Sequence, residues 1–158
     1  MQFIQAVERV LHAPGNFTKD ILEMTLVLDY STDFSQAARE MMGILKSHSQ
    51  VFRNVRLNIL KWVDDEHLEC ECVPMPVIQM GRILECAYEA DKHKTLDMLL
   101  KKLKVFHARS KLILVYTEGS YDICSREEVL GYMNPFLKRK IIFVSSDSIG
   151  LGLAGIKH

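Results

Sequence analysis

Three oxygen-bearing side chains follow an apolar segment in LVLDYSTDFSQAA, residues 26–38. Asp29, Ser31 and Asp33 are spaced by two residues, and a helical pattern of apolar residues begins directly after them. Carboxylate and hydroxyl oxygens are ligands that Mg²⁺ prefers, and the same side chains also cap helix N-termini. The spacing therefore predicts either a divalent-cation site or a helix cap at the end of a buried strand.

The apolar patterns around this motif predict the elements that position it. Apolar residues at intervals of three and four indicate amphipathic helices, and continuous apolar runs indicate strands buried on both faces. The strict alternation in LECEC indicates a half-exposed strand, whereas the Gly-rich tail after residue 146 is compatible with a last short strand without deciding it. The predicted helices are 3–12, 34–47, 80–87, 96–103 and 125–134, and the predicted strands are 24–28, 55–63, 68–72, 111–116 and 141–144.

The alternation of strands with helices predicts an α/β fold. We expect a mostly parallel, doubly wound (Rossmann-like) sheet with helices on both faces, and one antiparallel edge strand from the hairpin 55–63/68–72. The simplest topology places strand 24–28 at the centre, the hairpin on one side, and strands 111–116 and 141–144 on the other. The strand order then reverses beside the central strand, and α/β sheets bind ligands at such a point.

The loops at this point and their order along the chain resemble the von Willebrand factor type A (vWA) domain over residues 22–146. That family carries Asp-x-Ser-x-Ser after its first strand, a Thr before a later helix, and Thr-Asp-Gly after its fourth strand. In this chain the first motif reads DYSTD (29–33) and the last reads TEG (117–119). The segment IQMGRILECA (78–87) is similar to the family's Gly-Thr-Asn-Ile-Gly-x-x-Leu-x-x-Ala. The resemblance implies a vWA-type sheet.

The resemblance also implies a metal-ion-dependent adhesion site for Mg²⁺ or Mn²⁺. Its oxygens would come from Asp29, Ser31, Asp33 and Glu118, directly or through water. The surrounding loops 29–33, 74–79 and 117–124 would form the surface that binds a protein partner, and aromatic residues in them are suited to anchor it. The expected binding residues are Tyr30, Gln79, Thr117 and Tyr121.

Three positions depart from the family's metal-binding pattern. Asp33 replaces the second Ser, Glu118 replaces the Asp of the turn, and Ile78 stands where the Thr ligand is expected. The changes remove one neutral ligand, add negative charge and lengthen one side chain by a methylene. The metal site is therefore predicted to be degenerate, with a plain helix cap at residues 31–33 as the alternative.

An Asp at a strand end also suggests phosphoryl transfer, as in haloacid-dehalogenase-like phosphohydrolases or response-regulator receivers. The hydrolase pattern has a second Asp two positions after the first, where this chain has Ser31, and no Lys follows the later strand ends to bind phosphate. The sequence has no nucleophile-elbow, phosphate-loop or dinucleotide-binding motif. It favours a non-catalytic protein-interaction module, with phosphoryl chemistry at Asp29 as the alternative.

Composition narrows the class of protein. Twenty Lys and Arg residues balance twenty Asp and Glu residues, so the chain lacks the basic footprint of a nucleic-acid or membrane binder. No apolar run reaches the roughly 20 residues of a membrane span, and the first residues lack a signal-peptide core. The cysteines suit a reducing compartment. We expect a cytoplasmic protein with a single domain over residues 1–158, in which helix 3–12 is an addition to the vWA-like part.

Overall fold

The computed structural model describes every strand that the sequence predicts. The described residues are 2–11, 22–29, 34–48, 52, 55–66, 68–73 and 93–156. The helix predicted over 80–87 lies outside them, as do the predicted site residues Tyr30, Ser31, Asp33 and Gln79.

Helices and strands alternate along the described residues in the predicted order. The helices are α1 (Phe3–Leu11), α2 (Phe34–Ser47), α3 (Leu96–Phe106) and α4 (Arg126–Met133). The strands are β1 (Leu22–Asp29), β2 (Val55–Trp62), β3 (Leu68–Val73), β4 (Leu112–Tyr116), β5 (Ile141–Val144) and β6 (Ile149–Leu151). Short 3₁₀ turns cover Leu137–Arg139 and Gly152–Gly155. None of the described helices combines the length and apolar character that crossing a membrane requires.

The strands form one mostly parallel sheet in the order β3-β2-β1-β4-β5-β6. β1 pairs in parallel with β2 and β4, and β4 pairs in parallel with β5. The hairpin strand β3 is antiparallel to β2, so the predicted central strand, hairpin edge and strand order are confirmed.

The apolar tail supplies a second antiparallel edge, which the sequence pattern left undecided. β6 pairs with β5 through the register Val144–Ile149 to Ile142–Leu151. A Cβ on Gly150 would collide with the backbone of Gly155, so this edge depends on glycine at close approach.

Alternate residues of the central strands enter two separate cores, because side chains of a strand point to opposite faces in turn. Met24, Leu26 and Leu28 of β1 pack with α1 and α2 on one face. Val27 packs with α3 and α4 on the other. Fully burying one such side chain contributes about 1.5–3 kcal/mol. Helices therefore cover both faces of the sheet, and its strand ends are left to form sites.

Candidate functional site

The carboxyl ends of β1 and β4 meet at the centre of the sheet. Asp29 is the last residue of β1, and Thr117 follows the last residue of β4. The Thr117 hydroxyl donates a hydrogen bond of 2.6 Å to Oδ2 of Asp29. Both residues are buried, with 6% and 4% of their surface exposed. The strand ends that the sequence places at the switch point therefore do come together.

The other carboxylate oxygen of Asp29 is held by a lysine. Nζ of Lys94 donates to Oδ1 of Asp29, and it also donates to the carbonyl oxygen of Trp62 at 3.3 Å. The same ammonium group lies 5.3 Å from the centre of the Trp62 ring, a cation–π distance. Lys94 is only 1% exposed. Asp29 and Lys94 thus form a buried, hydrogen-bonded ion pair.

Lys94 enters the site from the segment that leads into α3, and polar contacts fix that segment. Asp65 accepts hydrogen bonds from the Thr95 backbone N–H at 2.8 Å and from its hydroxyl at 3.1 Å. The Asp122 N–H donates to the Lys94 carbonyl, and the Leu96 N–H donates to the Asp122 carbonyl. Thr95 is also the N-cap of α3. The backbone at Lys94 is therefore pinned to loops on both sides of it.

An aromatic pair lies beneath the site. The rings of Trp62 and Tyr121 stack with centroids 5.6 Å apart and planes inclined by 29°. Tyr121 is only 4% exposed. It therefore packs against Trp62 within the core, whereas its loop position suggests an exposed contact for a partner.

Another predicted carboxylate ligand, Glu118, contacts the loop that follows β5. The backbone N–H of Ser146 donates to one Glu118 oxygen at 2.8 Å, and the Ser146 hydroxyl donates to the other at 3.2 Å. Gly119 next to it has a φ of 96°, a left-handed conformation that favours glycine in this turn. Glu118 therefore ties the ends of β4 and β5 together.

The fit of a divalent cation can be judged at Asp29. Oδ1 already accepts from an ammonium group and Oδ2 from a hydroxyl, so a metal ion on this carboxylate would have to displace Lys94 or share its oxygens. Within the described ranges, no cluster of three or more His, Cys, Asp and Glu side chains could hold a metal. Ser31 and Asp33, the remaining predicted ligands, lie outside those ranges.

Sequence reasoning missed Lys94, although the site is built on it. The residue stands in the polar stretch DKHKT, which has no apolar period that would place it in the fold. One signal did exist, because a carboxylate at the end of a central buried strand needs a partner. The order of elements does not identify which of the twenty basic residues is that partner.

Comparison with known proteins assigns no family to the chain. No model of a known protein family matches it, and no curated protein matches it either. Inference about function therefore depends on the motifs and on the site geometry.

Proposed function

We propose that the chain is a non-catalytic, vWA-like module that binds another protein at the carboxyl ends of β1 and β4. The buried pair of Asp29 and Lys94 carries this proposal. It lies where the vWA resemblance expects a carboxylate and a cation, and here the cation is an ammonium group of the chain itself.

The sheet supports the vWA-type part of the proposal. β1 is central, the antiparallel hairpin strand β3 forms one edge, and β4 and β5 follow on the other side. This order brings Asp29 of DYSTD and Thr117 of TEG to adjacent strand ends, which supports the resemblance.

In this proposal Lys94 takes the place of the metal ion. Mg²⁺ needs about six oxygen ligands in near-octahedral geometry. A single positive charge that donates directly to Asp29 neutralises the carboxylate without that shell. Partner binding at the loops 29–33, 74–79 and 117–124 would then be independent of Mg²⁺ and Mn²⁺.

A thermal melt tests the metal part of the proposal. A cation that binds only the native state raises the melting midpoint by mass action. We expect the same midpoint in EDTA and in millimolar Mg²⁺, Mn²⁺ or Ca²⁺. A rise that Asp33→Ala removes would mean that DYSTD is a working metal site and would contradict the replacement by Lys94. Asp33 serves better than Asp29 here because its substitution leaves the ion pair in place.

Affinity capture tests the interaction part. The chain is used as bait in EDTA, beside the variant Ser120→Arg in the loop after β4 and the control Ser47→Arg on α2. Ser120 and Ser47 are both exposed, so neither change should disturb folding. We expect a partner that the wild type and the control retain and that Ser120→Arg loses. Equal capture by all three proteins would exclude the crevice as the interface.

The structure gives one observation in favour of the alternative, phosphoryl transfer at Asp29. Lys94 and Thr117 flank the carboxylate, and a cation was the group that the strand ends lacked in the sequence. Against it, the 6% exposure of Asp29 and the 1% exposure of Lys94 leave little room for a phosphoryl group. Incubation with acetyl phosphate and Mg²⁺, followed by intact mass measurement, should show no adduct. An adduct that Asp29→Asn abolishes would reverse the ranking of the two functions.

A further inference from the structure

The charges of the chain are unevenly distributed although they sum to zero. Residues 101–117 and 129–146 contain no Asp or Glu. Together these two segments hold eight of the twenty basic residues, namely Lys101, Lys102, Lys104, Arg109, Lys111, Lys138, Arg139 and Lys140.

The fold brings the two basic segments together at the amino ends of β4 and β5. Nζ of Lys140 donates to the Ala108 carbonyl at 2.9 Å, and Nζ of Lys104 donates to the Gly131 carbonyl at 3.2 Å. This end lies about 13 Å from the carboxyl ends, since the five residues of β4 are separated by four steps of about 3.3 Å. It is therefore separate from the crevice at Asp29 and does not depend on the function proposed there.

A cavity of about 230 Å³ opens between the ends of α3 and α4 at this place. Its walls combine apolar surface from Leu103, Phe136 and Leu137 with the two lysines Lys104 and Lys140. Pockets for small molecules usually measure about 300–1,000 Å³. The cavity is smaller than these, and its size suits a single large apolar side chain.

The two ammonium groups contact backbone carbonyls, Lys104 from an exposed side chain and Lys140 from a buried one. Neither forms an ion pair with another described residue, and both donate to backbone carbonyls. The C-terminal ends of α3 and α4 supply roughly half a negative charge each, against two positive charges. Burial and the neighbouring Lys111 also lower the pKa of Lys140. An incoming carboxylate would therefore meet two ammonium groups that have no carboxylate partner among the described residues.

Exposed aromatic side chains border the same end of the molecule. Phe136 is 71% exposed, and Phe106 at the end of α3 is 74% exposed. Large apolar side chains that gather at one place on a surface commonly mark a site of interaction. Aromatic and basic residues together would suit a partner that is both acidic and apolar.

We propose that this basic cavity binds an acidic segment of a partner protein. One apolar side chain of the segment enters between Phe136 and Leu103, and flanking carboxylates pair with Lys104 and Lys140. A purely anionic surface would use the charges and leave the apolar cavity unfilled, so a peptide accounts for more of the observations than a lipid surface or a nucleic acid.

Fluorescence anisotropy with defined peptides tests this proposal. The probes are fluorescein-labelled peptides of about seven residues in which glutamates flank a central Phe, Leu or Ser. We expect the Phe or Leu peptide to bind at least about tenfold more tightly than the Ser peptide at ~50 mM salt, where charge pairing is weakly screened. The proposal is contradicted if neither apolar peptide binds, or if all three peptides bind equally.

Variants locate the binding. Lys104→Glu and Phe136→Ser alter exposed side chains, so both proteins should fold, as circular dichroism will verify. Each should weaken the apolar peptides at least about fivefold, an effect of the size seen for interface contacts. Arg126→Glu, an exposed basic residue at the opposite end of α4, is the control and should leave affinity unchanged. An unchanged affinity in both test variants would show that the peptide binds elsewhere on the molecule and would contradict the proposal.

Binding of the same proteins to two other anionic ligands, phosphatidylserine vesicles and a labelled oligonucleotide, is also measured. We expect the vesicles and the oligonucleotide to bind weakly. This binding should be unaffected by Phe136→Ser and lost at physiological salt. Binding tighter than that of the peptides and abolished by Lys104→Glu would assign the surface to a membrane or to nucleic acid and overturn the proposal.

Discussion

The two ends of the sheet differ in what their lysine ammonium groups contact. At the carboxyl end, Lys94 meets the carboxylate of Asp29 and the two charges compensate each other within the chain. At the amino end, Lys104 and Lys140 meet backbone carbonyls, and neither has a carboxylate partner among the described residues. The first arrangement is complete within the chain, whereas the second leaves two ammonium groups that an incoming negative group could pair with.

The difference separates a charge that holds the fold from a charge that is available for binding. A buried pair gives the fold little net stability, yet breaking it by removing one partner is costly. A lysine buried without a counterion costs stability, so the fold should gain when it is removed. Stability measurements on matched variants can therefore tell the two ends apart.

Lys94→Met should have the largest effect. The substitution keeps the length of the side chain but leaves Asp29 buried and without its cation, a change that typically costs about 3–5 kcal/mol. Urea denaturation at neutral pH measures the loss. The double variant Asp29→Asn/Lys94→Met should recover most of it, because an amide can still accept from Thr117. A loss below about 1 kcal/mol, the value typical of exposed pairs, would show that the pair is solvated.

His107 should make stability depend on pH at the amino end. Burial, with a further contribution from Lys102, lowers the pKa of this histidine, and Glu23 opposes the shift. Its Nδ1 lies 3.1 Å from the Thr25 hydroxyl, and Nε2 has no hydrogen-bond partner within the described part of the chain. The unfolded chain therefore binds the proton more readily, so stability falls as pH drops below the unfolded value of about 6.5.

The measurement is a series of urea midpoints between about pH 7.5 and pH 5.5, the range in which histidine titrates. One proton limits the slope to about 1.4 kcal/mol per pH unit. His107→Gln should reduce the slope. A slope that is the same in the wild type and in His107→Gln would assign the acid sensitivity to other groups.

The sequence was informative where structure is set by local pattern. The bounds predicted for α2 and β5 match those observed, because each element has a clear period or an unbroken apolar run. Ser125, the first residue of the predicted helix 125–134, is its N-cap and accepts from the Glu128 N–H at 3.3 Å. The meeting of Asp29 with Thr117 was also predictable, since strand order brings the ends of β1 and β4 together.

Other features depend on contacts between distant residues, and the local pattern does not contain them. β6 has three residues, one of them glycine, and it exists through pairing with β5 and close approach to Gly155. Lys94 reaches Asp29 across 65 residues from a segment with no apolar period. The cavity at Lys104 and Lys140 joins two segments that are distant in the sequence, and the pattern of each one alone does not show that they meet.

Lys140→Met should change stability in the opposite direction from Lys94→Met. The variant removes a buried ammonium that lacks a counterion among the described residues, and we expect a gain of about 1 kcal/mol at neutral pH. Because the folded pKa of Lys140 is lowered, the unfolded chain holds the proton longer as pH rises, and wild-type stability increases toward pH ~10.4. The gain should therefore shrink in alkaline urea melts. A loss of stability would make Lys140 a structural partner of Ala108 and not a charge held for binding.

Lys104→Glu should have the smallest effect on folding and so gives the sharpest separation of roles. Lys104 is exposed, and substitutions at such positions usually change stability by less than about 0.5 kcal/mol. A urea melt should therefore barely distinguish this variant from wild type. If Lys104 binds a partner, Lys104→Glu should lose affinity for the acidic peptide while its urea midpoint is unchanged. A midpoint that falls together with affinity would mean that Lys104 acts by holding α3 to α4 through the Gly131 carbonyl. The lysines at both ends of the sheet would then be structural, and Lys104 would not be available to bind a ligand.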